Sequence, residues 1–266
     1  MMKNKKLPIL VIILIVIVFS AGRSLRLVGG IAGSYNTNVL VAHVVDGDTV
    51  ELSNGEKVRY IGIDTPEIKR REGDEWIYDP RPYAEEARVF NARLVEGKKV
   101  RLEFDVQERD KYDRLLAYVY VGEAMVNLEI LRQGYAMIYT YPPNIKYTEE
   151  FLKAESEAKK NNRGLWSELE VLIYAREAKD RLGMISEIEA YVVSTYLSDS
   201  LLILNCRDNF KIVIFSNNLA SFPKEVLRSP DAYFKHKTIR VYGLVKEYKG
   251  VYEIVANHPS QIEIID

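Results

Sequence analysis

The sequence predicts a mainly β fold with helices (α+β), in which two small strand-rich domains follow one another. The first observation is a pair of strands on either side of Asn54-Gly55, a dipeptide that is the strongest short-range signal for a β-hairpin. The second is a set of later segments with apolar residues at helical spacing. The third is a new run of alternating strands from Ile185 onward. At 266 residues the chain is long enough for two small domains, or for one of ordinary size.

The elements of the first domain, residues 37–167, follow from these patterns. Strands are expected from Val39 to Ile63, and a charged, proline-broken surface loop is expected at 68–82. Apolar residues at helical spacing then predict three helices. The segments expected after the loop are a helix at 83–95, strands at 99–106 and 115–121, a helix at 125–133, an extended stretch at 135–141 and a helix at 149–161.

The composition excludes several classes of protein. A formal net charge of −1 excludes a uniformly basic surface, so any nucleic-acid site must be a local patch. Because Cys206 is the single cysteine, the chain has no internal disulfide framework and no cysteine-based zinc site. With 47% hydrophobic and 28% charged residues, the chain has the composition of a globular protein.

The first 22 residues are expected to be a signal peptide or an N-terminal membrane anchor. A lysine-rich start precedes an uninterrupted apolar run from Leu7 to Phe19. This run is shorter than the roughly 20 residues that span a bilayer and matches the apolar region of a signal peptide. A buried helix of a soluble protein is the alternative. With either a signal peptide or an anchor, the folded part is secreted or membrane-anchored outside the cytoplasm, and residues 23–36 form a Gly/Ser-rich linker.

Four carboxylates and an arginine are concentrated around the first hairpin. Asp46 and Asp48 precede one strand, and Asp64 and Glu67 follow its partner, so one rim of the sheet can gather them around Arg59. Hard cations such as calcium require several oxygen ligands, and a guanidinium can hold a phosphate through two hydrogen bonds. The alternative is that the first acidic pair lies in a solvated turn and the second at the start of a helix.

Five motifs in the first domain resemble the staphylococcal nuclease (thermonuclease) family. They extend over about residues 38–168 in the order that the family has them, and they read HVVDGDTVEL, VRYIGIDTPE, ERDKYDRLLAYVYV, MVNLEILRQGYA and EAKKNNRGLWSE. The resemblance implies an OB-type five-stranded barrel with three helices, which is compatible with the expected order of strands and helices.

The resemblance also implies a calcium site and a general base. Asp48, Asp64 and the backbone carbonyl of Thr65 match the family's calcium ligands, and Asp46 would stand behind them and orient the ligands and waters. Glu67 matches the proposed general base, which takes a proton from a metal-bound water.

Arg59 and Arg114 match the family's two phosphate-binding arginines, which would stabilise a phosphorane-like transition state. The alternative for both is an ion pair with Glu67 that only pins the barrel. The substrate-binding residues implied by the resemblance are Lys111, Tyr112 and one of Tyr139 and Tyr141, the choice of stacking tyrosine being open. Asp113 replaces a family glycine, and we expect its charge to weaken phosphate binding somewhat.

The second domain is expected at 184–266, after a charged helical connector at 168–183. Five strands with a short helix before the fourth are typical of a small Greek-key barrel. The segment IRVYGLVKEYKGVYEIVANHPSQIEII resembles the last strands of nucleic-acid-binding OB domains. One hypothesis is a platform that binds single strands, and the alternative is a structural or protein-binding barrel. The candidate base-stacking residues are Tyr191, Tyr196, Phe210, Tyr248 and Tyr252.

Together these observations predict an exported calcium-dependent nuclease that hydrolyses phosphodiester bonds of DNA, and also of RNA. Little sequence specificity and a preference for single strands are expected. One alternative is a non-catalytic, membrane-tethered nucleic-acid-binding protein, and another is an uncleaved surface anchor whose nuclease site takes up DNA. The complete set of acids and arginines at the rim favours the enzyme over the non-catalytic module. No protein partner can be inferred.

Overall fold

The computed structural model describes residues 35–168 and 172–266. The predicted signal peptide or anchor at 1–22 and the linker as far as residue 34 lie outside these residues. Within the described part of the chain, no helix combines the length and apolarity needed to cross a membrane.

The first half of the described chain forms a closed five-stranded barrel with helices around it. The barrel order is β1-β2-β3-β8-β7 and back to β1, and all these pairs are antiparallel except β3 with β8, which is parallel. The elements are β1 (Tyr35–Val44), β2 (Thr49–Leu52), β3 (Lys57–Tyr60), β4 (Gly62–Asp64), β5 (Lys69–Glu72), β6 (Glu75–Tyr78), α1 (Ala84–Val95), β7 (Lys99–Glu103), β8 (Leu115–Val121), β9 (Ala124–Met125), α2 (Val126–Arg132), β10 (Met137–Tyr139) and α3 (Thr148–Lys160).

Apolar side chains at alternate positions of the strands fill the interior of this barrel. Val50 and Leu52 of β2, and Val58 and Tyr60 of β3, point inward and are almost fully buried. The helices close the barrel with Ile130 and other apolar residues. Outside the barrel, β4 pairs with β10, so the strand that carries the acidic segment is fixed to the strand that precedes α3. The α+β fold with an OB-type barrel and three helices is confirmed.

The second half forms another closed five-stranded barrel of the same strand order. The order is β12-β13-β14-β16-β15 and back to β12, and again only the pair of third and fifth strands is parallel. The elements are β11 (Ile173–Tyr174), β12 (Ile185–Leu197), β13 (Leu201–Cys206), β14 (Phe210–Phe215), α4 (Ser216–Leu219), α5 (Lys224–Arg228), α6 (Pro230–Phe234), β15 (Thr238–Tyr248), β16 (Val251–Val255) and β17 (Ile262–Ile264).

Three sequence expectations need correction. The linker ends earlier than predicted, because β1 begins at Tyr35. The predicted loop at 68–82 contains the exposed hairpin β5–β6, which pairs through its backbone without burying a face, so no apolar alternation marked it. The predicted helical connector at 168–183 contains β11 and a 3₁₀ helix at Ala175–Arg181 instead. Ile173 is buried in the second barrel's core and its strand pairs with β12, which overrides the helical tendency of the segment.

The two barrels pack against each other through a small buried cluster. Trp166, at the end of the first domain, makes an edge-to-face contact with Tyr242 of β15, with ring centroids 5.6 Å apart. The Tyr242 hydroxyl donates a 2.7 Å hydrogen bond to the buried Glu155 carboxylate. The Lys159 ammonium lies 3.1 Å from the centre of the Tyr242 ring. Both barrels belong to one compact unit.

Candidate active site

The turn between β1 and β2 carries the first two acids in a tightly packed loop. The Asp46 carboxylate accepts a 3.0 Å hydrogen bond from the Asp48 backbone N–H, which curls the turn. The position between them must be glycine, because a Cβ on Gly47 would lie 2.7 Å from the side chain of Thr65. The Asp48 carboxylate in turn accepts hydrogen bonds from the Thr65 backbone N–H and hydroxyl, at 2.8 and 3.0 Å. The turn is therefore held against the segment that follows β4.

Arg59 joins two of the predicted metal ligands. Its Nη1 forms an ion pair with Asp48 Oδ2, and its Nη2 donates a 2.7 Å hydrogen bond to Asp64 Oδ1. Only 15% of the Arg59 side chain is exposed. Although burial lowers the pKa of its guanidinium, the charges of Asp48 and Asp64 outweigh that effect and raise the pKa. The alternative of an ion pair between Arg59 and Glu67 is wrong for this geometry, because the guanidinium pairs with the two aspartates.

Crowding of carboxylates at this rim disfavours their ionisation. Burial, and then the charge of Asp48, raises the pKa of Asp46 to about 8. Burial is also the main cause that raises the pKa of Asp64 to about 6, and the charge of Asp48 adds to it. The Glu67 side chain is exposed, but the protein around its carboxyl group removes part of its hydration. This loss of hydration, and then the charge of Asp48, raises the pKa of Glu67. A bound cation would relieve this repulsion.

The donor chemistry of the rim fits a hard cation such as Ca²⁺, since two carboxylates and a backbone carbonyl are its preferred oxygen ligands. In the described part of the chain, no three Asp, Glu, His or Cys side chains converge in the arrangement of a metal centre. In the same rim the Arg59 guanidinium pairs with both Asp48 and Asp64. Asp48, Asp64 and the Thr65 carbonyl remain the residues that would hold the ion.

Arg114 is oriented by an acid that the sequence analysis did not single out. Asp110 accepts a 2.8 Å hydrogen bond from Arg114 Nε and pairs with its Nη2 at 2.7 Å. It also accepts the backbone N–H groups of Tyr112 and Arg114. The Arg114 guanidinium lies 5.6 Å from the exposed Tyr112 ring. The signal for this pair was the four-residue spacing of an acid and an arginine. The alternative of an Arg114–Glu67 ion pair is wrong here as well.

Asp113, the residue that replaces a family glycine, contacts Arg109. Its backbone adopts the left-handed conformation at φ 65°, which the family's glycine would adopt readily. Its carboxylate lies 3.4 Å from Arg109 Nη1, and its carbonyl accepts a 2.7 Å hydrogen bond from the same nitrogen. The charge of Asp113 is therefore directed to Arg109.

The arginines and the predicted substrate-binding residues line one cleft of about 350 Å³. Tyr139 is half-buried in its wall, whereas the Tyr141 ring is exposed. Asp64, Thr65 and Glu67 line a neighbouring cleft of about 130 Å³. The cleft of about 350 Å³ contains Arg59, Arg114, Lys111, Tyr112, Tyr139 and Tyr141 together.

Asn91 is a further residue that supports the site and that sequence reasoning missed. It is fully buried on the inner face of α1, where its side-chain amide donates a 3.1 Å hydrogen bond to the carbonyl of Asp46. Its side-chain oxygen accepts a 3.0 Å hydrogen bond from the Tyr60 hydroxyl. The signal was a polar residue in the apolar stripe of a predicted helix.

The candidate stacking residues of the second barrel divide into exposed and buried rings. Tyr196 and Tyr248 are more than half exposed, and Tyr191 and Tyr252 are half-buried. Phe210 is 2% exposed and lies in the apolar core. Phe210 is therefore a core residue, and its prediction as a stacking residue was wrong because alternation alone did not show which face of β14 is buried.

Comparisons with known proteins match about half of the chain. The family model described as "Staphylococcal nuclease homologue" matches residues 57–168, which include Arg59, Asp64, Glu67 and Arg114. A thermonuclease of Staphylococcus hyicus is 37% identical over 141 residues, which are 52% of this chain and 80% of the relative. The SPbeta prophage-derived endonuclease YokF and the endonuclease YncB, both of Bacillus subtilis (strain 168), are each 43% identical over 135 residues.

These matches differ in how much of each relative they include. The matching 135 residues are 49% of this chain but only 44% of YokF and 62% of YncB. The family model ends at residue 168, before the second barrel begins. The family model therefore covers the first barrel from β3 onward, with Arg59, Asp64, Glu67 and Arg114, and no part of the second barrel.

Proposed function

Because the chain belongs to the staphylococcal nuclease family, we propose that it is a nuclease that hydrolyses phosphodiester bonds of DNA, and also of RNA, with little sequence specificity. The observation that carries this proposal is the position of Arg59. It lines the cleft that contains Arg114 and the tyrosines, and it also pairs with the two carboxylates of the acidic rim. A phosphate bound in this cleft lies beside the acidic groups.

The two arginines are proposed to bind the phosphate and stabilise its transition state. Hydrolysis adds negative charge to the phosphoryl oxygens, and a guanidinium can donate two hydrogen bonds to them. Asp110 fixes the Arg114 side chain in one orientation, and Asp48 and Asp64 do the same for Arg59. Such preorganisation avoids the cost of ordering long side chains during the reaction.

Glu67 is proposed as the general base. Its carboxylate is exposed in the cleft next to Asp64, and a carboxylate in this position can accept a proton from the attacking water. Ca²⁺, when held by Asp48, Asp64 and the Thr65 carbonyl, would supply positive charge and lower the pKa of a bound water. Asp46 and Asn91 hold the turn that presents Asp48.

Single strands are the proposed substrate, because unpaired bases can stack on exposed aromatic rings. The exposed rings of Tyr112 and Tyr141 line the cleft, and the Lys111 ammonium lies over the Tyr112 ring at 4.9 Å. In the second barrel the exposed Tyr196 and Tyr248 offer further stacking surfaces. We also propose that the protein acts outside the cytoplasm, secreted or anchored in the membrane, on the basis of its N-terminal sequence.

The test is cleavage of a labelled single-stranded oligodeoxynucleotide by the full chain, with Ca²⁺ or with a chelator. Wild type is expected to cut only with Ca²⁺, and Glu67→Gln is expected to reduce the rate by about 10²–10⁴-fold, the usual contribution of a general base. The matched control is Glu123→Gln, in the exposed turn between β8 and β9, which is expected to cut like wild type. Binding without cleavage in both Ca²⁺ and Mg²⁺ would replace the enzyme with the non-catalytic binding module.

A further inference from the structure

The second barrel forms one wall of the cleft that contains the acidic rim. Glu67 and Asp64 lie on one side of this cleft of about 130 Å³, and Met184, Leu244 and Lys246 of the second barrel lie on the other. Lys246 is exposed near the end of β15. The second barrel therefore contributes a cation to the neighbourhood of the proposed catalytic groups.

The position of this wall is fixed by buried contacts. Glu155 Oε2 accepts the Tyr242 hydroxyl at 2.7 Å, and its Oε1 accepts the backbone N–H of Ile138 at 2.9 Å. Ile138 lies in β10, which pairs with β4 so that Met137 is opposite Asp64. One buried carboxylate thus connects the strand that carries Lys246 to β10, and β10 pairs with the strand that carries Asp64.

A second cation lies in the same cleft. Arg81 is half-buried there, and its backbone N–H donates a 3.0 Å hydrogen bond to the Glu67 carbonyl. Its Nη1 donates to the carbonyl of Gly183, at the entry to the second barrel, at 3.4 Å. Arg81 therefore bridges the Glu67 segment and the second barrel, and it lines the same cleft as Lys246.

The two clefts adjoin at one hydrogen bond. Arg59 lines the cleft of about 350 Å³, Asp64 lines the cleft of about 130 Å³, and these two side chains are 2.7 Å apart. A strand bound in the larger cleft would enter the smaller one if it extended past the acidic rim. The charge of its next phosphates is repelled by Asp64 and Glu67 unless cations stand beyond them.

We propose that Arg81 and Lys246 form a second phosphate-binding subsite, which holds the backbone of the single-stranded substrate on the far side of the acidic rim. This inference rests on the proposed function and extends it, because it assigns the second barrel a direct part in substrate binding. Arg81 and Lys246 are substrate-binding residues, and the chemistry stays with the first barrel.

The test is binding of fluorescein-labelled dT12 to the full chain in chelator, where no cleavage is expected, measured by anisotropy at several salt concentrations. Lys246→Ala is expected to weaken binding about 3- to 5-fold, as an exposed charge contact would, and Lys246→Glu more. Loss of one phosphate contact should lower the slope of log K against log salt by about 0.7. Lys246→Arg should bind like wild type.

The control is Lys224→Ala, an exposed lysine on α5 that lines neither cleft. Equal binding by wild type, Lys246→Ala and Lys246→Glu would overturn the subsite, and so would an equal loss in Lys224→Ala, which would indicate a general charge effect. Binding by wild type without cleavage in Ca²⁺ would overturn the proposed nuclease while a Lys246-dependent loss still supports the subsite. If wild type does not bind dT12, both proposals fail.

Discussion

The two barrels have the same strand order but differ in the ion-pair partners of the cation on the third strand. In each barrel the third strand pairs in parallel with the fifth, and the second residue of that pairing is a cation. Arg59 of β3 is opposite Leu116, whereas Lys211 of β14 is opposite Glu253. Lys211 and Glu253 form a 3.0 Å ion pair across the ladder.

This difference separates a site from a structural pair. Lys211 is neutralised by its neighbour, with both side chains at most 16% exposed. Arg59 faces an apolar partner across the ladder, and its guanidinium pairs with Asp48 in the β1–β2 turn and with Asp64 at the end of β4. The partners of the first barrel's cation therefore lie outside the five barrel strands, whereas the partner of the second barrel's cation lies in the adjacent barrel strand.

The connection between the first and second strands shows the same contrast. In the first barrel it is the acidic turn Asp46-Gly47-Asp48, which is packed onto Thr65. In the second barrel it contains Asp199 between two serines, and the Ser198 hydroxyl oxygen accepts the backbone N–H of Leu201 at 3.3 Å. The second turn therefore closes on itself.

The largest effect on activity is expected when Arg59, the cation of the first barrel, is removed. Arg59→Ala should reduce cleavage by about 10²–10³-fold through loss of transition-state stabilisation. It should also lower the free energy of unfolding by about 3–5 kcal/mol, because the buried Asp48 loses its cation. Denaturant unfolding and initial rates measure both. Arg88→Ala, which removes a half-exposed surface pair with Glu85, is the control and should change neither.

Breaking the equivalent pair of the second barrel should affect stability alone. Lys211→Met leaves Glu253, 12% exposed, without its cation and should lower the free energy of unfolding by about 1–3 kcal/mol. The cleavage rate per folded molecule should stay within twofold of wild type. A rate loss comparable to that of Arg59→Ala would show that Lys211 also contributes to cleavage, which would contradict the distinction between the two positions.

Calcium should distinguish the two turns. At a concentration of 100 times its Kd, a ligand that binds only the folded state adds about 2.7 kcal/mol, which should raise Tm by about 5–10 °C relative to chelator. Asp64→Asn should abolish this shift, and Asp199→Asn, in the turn of the second barrel, should keep it. Scanning calorimetry measures the shift, and an unchanged shift in Asp64→Asn would place the cation elsewhere.

The smallest effect is expected at Asp113. Asp113→Gly suits the left-handed backbone but adds freedom to the unfolded chain, so the free energy of unfolding should change by less than about 1 kcal/mol. Because the carboxylate lies at Arg109, cleavage and its KM should remain within twofold of wild type. A large fall in KM would indicate that Asp113 does oppose the phosphate after all.

The barrel strands could be predicted because each buries one face. Val50, Leu52, Val58 and Tyr60 alternate with polar residues, and the Asn54-Gly55 turn sets their pairing. Hairpin β5–β6 could not be predicted in this way, because both its strands are exposed along their whole length. The connector was mistaken for a helix because the pairing of Ile173 with β12 is a long-range contact.

The residues of the candidate site could be predicted better than their partners. Chemistry and resemblance indicated Arg59, Asp64 and Glu67, and those roles remain proposals. Which carboxylate each arginine would pair with depends on the packing of separate loops, as the pairing of Arg114 with Asp110 illustrates. The contribution of Lys246 depends on how the two barrels dock, which no local pattern encodes.

The buried Glu155 has a practical consequence for dividing this chain. A minimal protein cut after residue 168 would expose the face of Trp166 that Tyr242 covers and would leave Glu155 Oε2 without its hydroxyl donor. Such a fragment would expose aromatic surface beside a carboxylate that has lost a hydrogen-bond donor, so it should be less stable than the same barrel in the full chain.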